Sequence, residues 1–236
     1  MGTVERDFAR DWDTFGKQID ELITDDIWLE GGIVVEERIS IDKTKLGGSP
    51  NVEMRVDHEG NVHREYACEQ VIQEDGKTFM GVGMNKEVDA SPHIEQAYLA
   101  AEVIGKYLAG LGYRGNFDMD LVISQENKLY AIESNLRRTG GTHIHEFCKE
   151  VLGKDYSQKH YVMSYEIKLE NKDKWNYDKL NVLFKPILFD KTSQTGVIVV
   201  NTELVGVGII SLLVVEKSRD TLNALVKKTY ELVAML

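Results

Sequence analysis

Phe117-Asp118-Met119-Asp120-Leu121-Val122-Ile123 alternates apolar with mostly acidic side chains, and Leu129-Tyr130-Ala131-Ile132-Glu133-Ser134-Asn135-Leu136-Arg137 follows after a polar gap. Met119, Leu121 and Ile123 fall on one side and Asp118, Asp120 and Val122 on the other, the period of a strand. Leu129 to Asn135 reads as a second strand, with Ser124-Gln125-Glu126-Asn127-Lys128 as the turn. A two-residue turn at Glu126-Asn127 uses the tolerance of Asn for left-handed backbone. It pairs Gln125 with Lys128, and so sets Asp120 across from Glu133 and Asp118 across from Asn135. Glu133, Asn135 and Arg137 then share a face at period two. Like charges directly opposite one another are destabilising. A divalent cation would neutralise them, and Mg²⁺ takes oxygen ligands, usually one or two carboxylates plus substrate phosphates. The competing reading is an edge hairpin with a solvated acidic face.

Composition frames this reading. The chain has 236 residues, enough for one large domain or two small ones with a buried core. A hydrophobic fraction of 42% and a charged fraction of 28% are ordinary for a globular protein. The net charge of -11 argues against a general nucleic-acid or anionic-membrane binder, though not against a local site for nucleotide phosphates. Cys68 and Cys148 make neither a disulfide framework nor a zinc pattern, and are expected as reduced thiols in a cytoplasmic protein. Met1 to Arg10 has no apolar core of a signal peptide. Leu204 to Val215 is too short to span a bilayer and is broken by Gly206 and Gly208.

Periodicity along the chain predicts an α+β organisation. Asp7 to Thr24 has helical spacing, with Trp12 and Phe15 as core residues. Gly31-Gly32 introduces a buried strand ending in charge, Ile33 to Ile39, and Lys43 to Pro50 is a loop. Val52 to Val56 and Val62 to Gln73 read as antiparallel strands about a turn at Asp57 to Gly60. Ser91 caps a long helix with Pro92 at its first position. Its buried stripe is expected to be Ile94, Ala97, Tyr98, Ala101, Ile104, Leu108 and Leu111, with Gly112 as the stop. His145 to Leu152 and Asp155 to Leu169 are expected as helices. Beyond about residue 175 a small α/β appendage is expected: strands at Asn181 to Phe189, Gly196 to Thr202 and Gly208 to Val215, then a helix from Ser218 to Met235.

These residues resemble the C-terminal part of an ATP-grasp enzyme, over about residues 30 to 150. Val34-Val35-Glu36-Glu37-Arg38-Ile39 resembles the family's hinge strand, Gly112 to Asp120 the segment ending in its first metal carboxylate, and Glu133-Ser134-Asn135-Leu136-Arg137 its E-x-N-x-R signature. Tyr130 to Glu133 and Thr139-Gly140-Gly141-Thr142-His143 look most like peptide ligases of the pheganomycin type. The resemblance implies a partial ATP-grasp domain over 1–172, with the hinge strand at about 31–40 and a metal-binding hairpin at 116–137, and a small α/β region over 173–236. It implies an antiparallel sheet with flanking helices, and ATP with Mg²⁺ as cofactors. Asp120, Glu133 and Asn135 would ligate the metal, and Arg137 would hold the γ-phosphate or an acyl phosphate. Glu36 would accept from the adenine amino group, Glu37 and Ile39 would give backbone contacts, and Asp42 would touch the ribose. The implied activity is an ATP-dependent carboxylate–amine ligase, with small-molecule or peptide carboxylates and amines as partners, neither nucleic acid nor membrane, and self-association. The alternative is a non-catalytic nucleotide-binding or assembly module of the same fold.

The family's N-terminal ATP subdomain supplies a Lys-bearing strand and a glycine-rich loop, and only Met1-Gly2-Thr3 precedes the first expected helix. The expectation is therefore an incomplete C-terminal part. Other residues have plain readings beside functional ones. His143 and His145 fit no strong zinc spacing. Lys43 and Lys45 border a glycine loop that could touch phosphate or simply be solvated, and Arg55 could meet a substrate carboxylate or a surface acid. Gly206-Val207-Gly208 lacks the third glycine of a dinucleotide fingerprint.

Overall fold

Pro50 to Val56 alternates so that Val52, Met54 and Val56 face one way and Asn51, Glu53 and Arg55 the other, and this strand becomes the axis of the site. The computed structural model describes residues 38–72, 78–170 and 175–234, with Gly16, Lys17 and Asp20. The chain divides into two units, Met1–Ile39 and Ser40–Leu236, and the architecture below is that of the second. Most of the helix expected over Asp7 to Thr24, Trp12 and Phe15 included, and the expected hinge strand through Glu37, Glu36 included, lie outside the described residues.

The strands are β1 (Pro50–Val56), β2 (Val62–Ile72), β3 (Phe79–Met84), β4 (Gly115–Ile123), β5 (Leu129–Glu133), β6 (Tyr161–Lys168), β7 (Gly196–Asn201) and β8 (Ile209–Glu216). The helices are α1 (Lys86–Asp89), α2 (Pro92–Gly110), α3 (Thr142–Leu152), α4 (Tyr156–Lys159), α5 (Tyr177–Phe184) and α6 (Arg219–Ala234). All eight strands among the described residues join one antiparallel sheet in the order β5-β4-β1-β2-β3-β6-β8-β7. This is an α+β fold, and the strands of the C-terminal region continue the sheet that holds the acidic hairpin.

One face carries Val52, Met54, Ala67, Phe117, Met119 and Leu121 against α2. Ser91 caps α2, its Oγ accepting from the His93 N–H at 3.3 Å. The buried stripe departs from the sequence expectation: Ile94, Ala97, Ala101 and Gly105 face the sheet, while Ile104 and Leu111 are exposed. Gly105 explains this. A Cβ there would lie 2.7 Å from Val62 and 2.9 Å from Phe117, so the missing side chain lets the helix sit close to the sheet. On the same face, α5 and α6 cover β6 and β8 through Leu180, Phe184, Leu222, Ile210, Leu212 and Val214. On the opposite face, α3 packs Ile144, Cys148 and Leu152 over Cys68, Val82, Met84, Val162, Leu213 and Val215.

Two expected elements change type. Residues expected as a helix from Asp155 to Leu169 instead form the single turn α4 and then β6. β6 is central and buried on both faces, which erases the alternation that marks a half-buried strand. Residues expected as a strand from Asn181 to Phe189 instead continue α5 and a 3-10 turn at Lys185–Ile187. Leu180 and Phe184 are the buried pair, at helical spacing, and Val182 points outward at 73% exposure. The remaining C-terminal elements, β7, β8 and α6, lie close to where they are expected. Among the described residues no helix is long and apolar enough to cross a membrane.

Candidate functional site

Antiparallel pairing brings polar residues of four strands onto one face. β1 pairs with β4 so that Asn51 faces Asp120 and Glu53 faces Asp118. β1 also pairs with β2, setting Asn51 against Cys68 and Glu53 against Tyr66. Asp120 faces Glu133 of β5. That pairing arises by a different route from the expected one. Ile123 pairs with Leu129 across a longer loop, and a bulge after Asp120 shifts the register so that Glu133, not Ile132, stands opposite. Asn127 takes the left-handed conformation expected of it, at φ 63. β5 ends at Glu133, but the chain stays beside β4: the Asp118 N–H donates to the Asn135 carbonyl at 3.1 Å.

Amides hold the acidic side chains. Asn51 donates from Nδ2 to Asp118 Oδ2 at 2.9 Å and to Asp120 Oδ1 at 2.6 Å. Gln70 donates to the same Asp120 oxygen at 2.7 Å, and Asn135 Nδ2 to Asp120 Oδ2 at 3.3 Å. The Cys68 thiol donates to Asn51 Oδ1 at 3.8 Å, which fixes the Asn51 amide with its nitrogen toward the acids. Burial raises the Asp118 carboxyl above its ordinary value, and the Asp120 charge adds to this. Burial also raises Asp120, opposed by the Asn51 hydrogen bond and reinforced by the Glu133 charge. Cys68 is raised by burial and by the same acids, so it stays a thiol.

Behind these groups lies Glu53, which is fully buried. Its Oε2 accepts from Tyr66 Oη at 3.0 Å, Thr139 Oγ1 at 2.9 Å and Thr142 Oγ1 at 2.6 Å. Its Oε1 accepts from Asn116 Nδ2 at 2.6 Å. Gly141 passes so close to the Tyr66 ring that a side chain would overlap the hydroxyl.

Asp120, Glu133, Asn135 and Arg137 thus fall in one neighbourhood. Arg137 is exposed and donates to Asn135 Oδ1 at 3.3 Å. Asp42 is elsewhere: its N–H donates to the Ile123 carbonyl beside the hairpin loop, and its carboxylate accepts from Thr44 and pairs with Lys45. Ile39 is half-buried in irregular backbone. Lys45 also donates to Asn127 at 2.6 Å, and Arg55 pairs with Glu65 at 2.6 Å, its plain reading. His145 is a core residue, stacked on Tyr66 and hydrogen-bonded to Tyr156, whereas His143 is exposed, so the two do not form a zinc pair. Sequence reading alone does not single out Asn51, Glu53 or Gln70. The period of β1 does put Asn51 and Glu53 on one face, but nothing local says that β4 lies beside it.

The donor set suits a hard cation. Asp120 and Glu133 offer carboxylate oxygens whose repulsion a cation would relieve, while Asn135 directs its amide nitrogen to Asp120 and its oxygen to Arg137. Three hydrogen bonds reach Asp120, which leaves part of a carboxylate's acceptor capacity for a metal. Among the described residues no group of three or more His, Cys, Asp or Glu is placed to hold a metal ion.

No protein-family model matches the chain. A curated relative, the L-propargylglycine–L-glutamate ligase of Streptantibioticus cattleyicolor, is 30% identical over 124 residues, 52% of this chain and 24% of that protein. An L-amino acid ligase from Bacillus licheniformis superposes with a TM-score of 0.54 at 15% identity, covering 93% of this chain and 58% of that one. N5-carboxyaminoimidazole synthetase from Staphylococcus aureus, complexed with ADP, superposes at 0.53 and 12% identity, covering 95% of this chain and 57% of that one. The chain has the fold of these solved structures, the ATP-grasp fold that its motifs resemble. It spans about a quarter of the curated ligase and a little over half of the matched structures.

Proposed function

We propose that this chain carries the metal- and phosphate-binding face of an ATP-dependent carboxylate–amine ligase acting on amino-acid or peptide substrates. The observation that carries the proposal is the facing pair Asp120 and Glu133, with Asn135 and Arg137 beside it. The curated relative, by its name a ligase of two amino acids, supports the substrate class. In this reading Asp120, Glu133 and Asn135 would hold Mg²⁺ at the phosphate side of the site. Asn135 would first turn its amide over, exchanging its bond to Asp120 for an oxygen contact with the cation. Arg137 would face the γ-phosphate, while Glu36, Glu37, Ile39 and Asp42 belong to the nucleoside end. When bound, Mg²⁺ supplies charge neutralisation at the phosphates. A substrate carboxylate attacks the γ-phosphorus and ADP leaves, giving an acyl phosphate. An amine then displaces phosphate and loses a proton to form the amide. The protein contributes position and charge rather than covalent chemistry.

A cytoplasmic setting suits two buried free thiols and an ATP substrate, and belongs to the same proposal. So does self-association through β5, the terminal strand whose outer edge no other strand among the described residues pairs, which light scattering against concentration reads out. Calorimetric titration with ATP and Mg²⁺ tests the site. Glu133→Ala is expected to weaken binding at least about tenfold, the scale of losing a charge-assisted metal contact. Equal affinity in the variant and the unaltered chain would overturn the assignment. Binding without turnover on any amino-acid pair would favour the non-catalytic module.

A further inference from the structure

Segment 134–142, from the end of β5 to the first residue of α3, carries both Asn135 and Arg137, and it is tied at both of its ends. At the first end, Asp118 Oδ1 accepts from the Asn135 N–H at 3.0 Å and the Asp118 carbonyl accepts from Ser134 Oγ at 2.8 Å. At the second, Thr139 and Thr142 both donate to Glu53 Oε2, and the Thr139 N–H donates to Thr142 Oγ1 at 2.8 Å. Between the ties, Leu136, Arg137 and Arg138 are exposed.

We propose that Glu53 is a positioning residue: by anchoring Thr139 and Thr142 it holds segment 134–142 taut, and so aims Arg137 at the phosphate side of the site. The inference rests on the reading given under Proposed function for what Arg137 faces. Glu53 suits the task because its partners come from different elements: Asn116 from β4, Tyr66 from β2, Thr139 from the segment and Thr142 from α3. A carboxylate so buried cannot release these donors to water at no cost, so the four bonds hold or fail together. A short span fixed at both ends also loses little freedom when a phosphate binds, which is how preorganisation raises affinity.

The experiment uses the full chain and its Glu53→Gln variant, similar in shape but with one oxygen replaced by a donor. Hydrogen exchange without ligand is expected to speed up at least about tenfold for amides of 135–142 and to stay unchanged in β6 to β8. In titrations with Mg²⁺, affinity for ATP is expected to drop about tenfold, and for ADP less than about threefold, because Arg137 is aimed at the phosphate that ADP lacks. Unchanged exchange in 135–142 overturns the proposal. Equal weakening of ATP and ADP overturns it too, since it reports general loosening. If the unaltered chain binds neither nucleotide, the ligase reading fails with the aim of Arg137, while the exchange arm alone still decides whether Glu53 holds the segment. Should Glu53→Gln not fold, Thr139→Val removes one donor and leaves the carboxylate in place, and the same two measurements decide.

Discussion

Asn51 holds two acidic side chains with one amide nitrogen, and its orientation is fixed in turn by a buried thiol. The acids remain strained electrostatically. Both Asp118 and Asp120 are raised by burial and by neighbouring charge, so the folded chain binds their protons more tightly than the unfolded one. Their stabilising contribution is therefore full below the ordinary value of 3.8 and is lost as pH rises through the folded values. Asp120→Asn removes one such charge. At pH 7 its melting temperature is expected to exceed that of the unaltered chain by about 2 °C. The difference should close as pH falls toward 3.8, and a gap that persists in acid would refute this account. The same variant should bind ATP with Mg²⁺ at least about tenfold more weakly. The Asp120–Glu133 pairing was legible in the sequence because alternation and charge survive a mistaken turn: the bulge restores the register that the longer loop displaces. Glu53 was not legible, because Val52-Glu53-Met54 reads as ordinary strand alternation with its acid in water. Only the strands on either side of β1 reveal that this position is interior.

At the scale of elements, strands that alternate and helices that cap were readable, whereas elements buried on both faces or carrying a mixed pattern were not. β6 and α5 are the two instances, and in each the deciding information is which neighbour covers which side. The meeting of β3 with β6 is a sensitive joint. Only Gly83 with Met163 and Met84 with Val162 pair across it, helped by Ser164 Oγ accepting from the Val82 N–H at 3.0 Å. A Cβ on Gly81 would overlap the Ser164 carbonyl, which is backbone and cannot swing aside. Gly81→Val is expected to destabilise the chain by about 2–4 kcal/mol, through overpacking and lost ladder bonds together. Gly110→Ala is the control: nothing lies within 4 Å of a Cβ there, so a gain of up to about 1 kcal/mol in helix propensity is expected. Urea midpoints read both, and a Gly81→Val midpoint equal to that of the unaltered chain would count against so tight a joint.

For the molecule as a whole, the net charge of -11 would set how a polyanionic nucleotide arrives at the proposed site. Long-range repulsion slows the encounter, and salt screens it. Raising ionic strength from about 20 to about 200 mM is expected to raise the association rate of ATP, whereas a basic site would lose rate under the same change. A stopped-flow rate that falls with salt would show that local positive charge near Arg137 outweighs the global field.

The β3–β6 joint has one further consequence. α3 serves there as a splint: it shares one buried apolar cluster with residues of β2, β3, β6 and β8, while its first residue, Thr142, is bonded to Glu53. The far half of the sheet therefore works as ballast for the carboxylate face. If β6 to β8 slide, the splint loses half its bed, Thr142 shifts, and slack passes into the segment that carries Arg137. Substitutions far out in the C-terminal region would then be felt as a looser grip on phosphate.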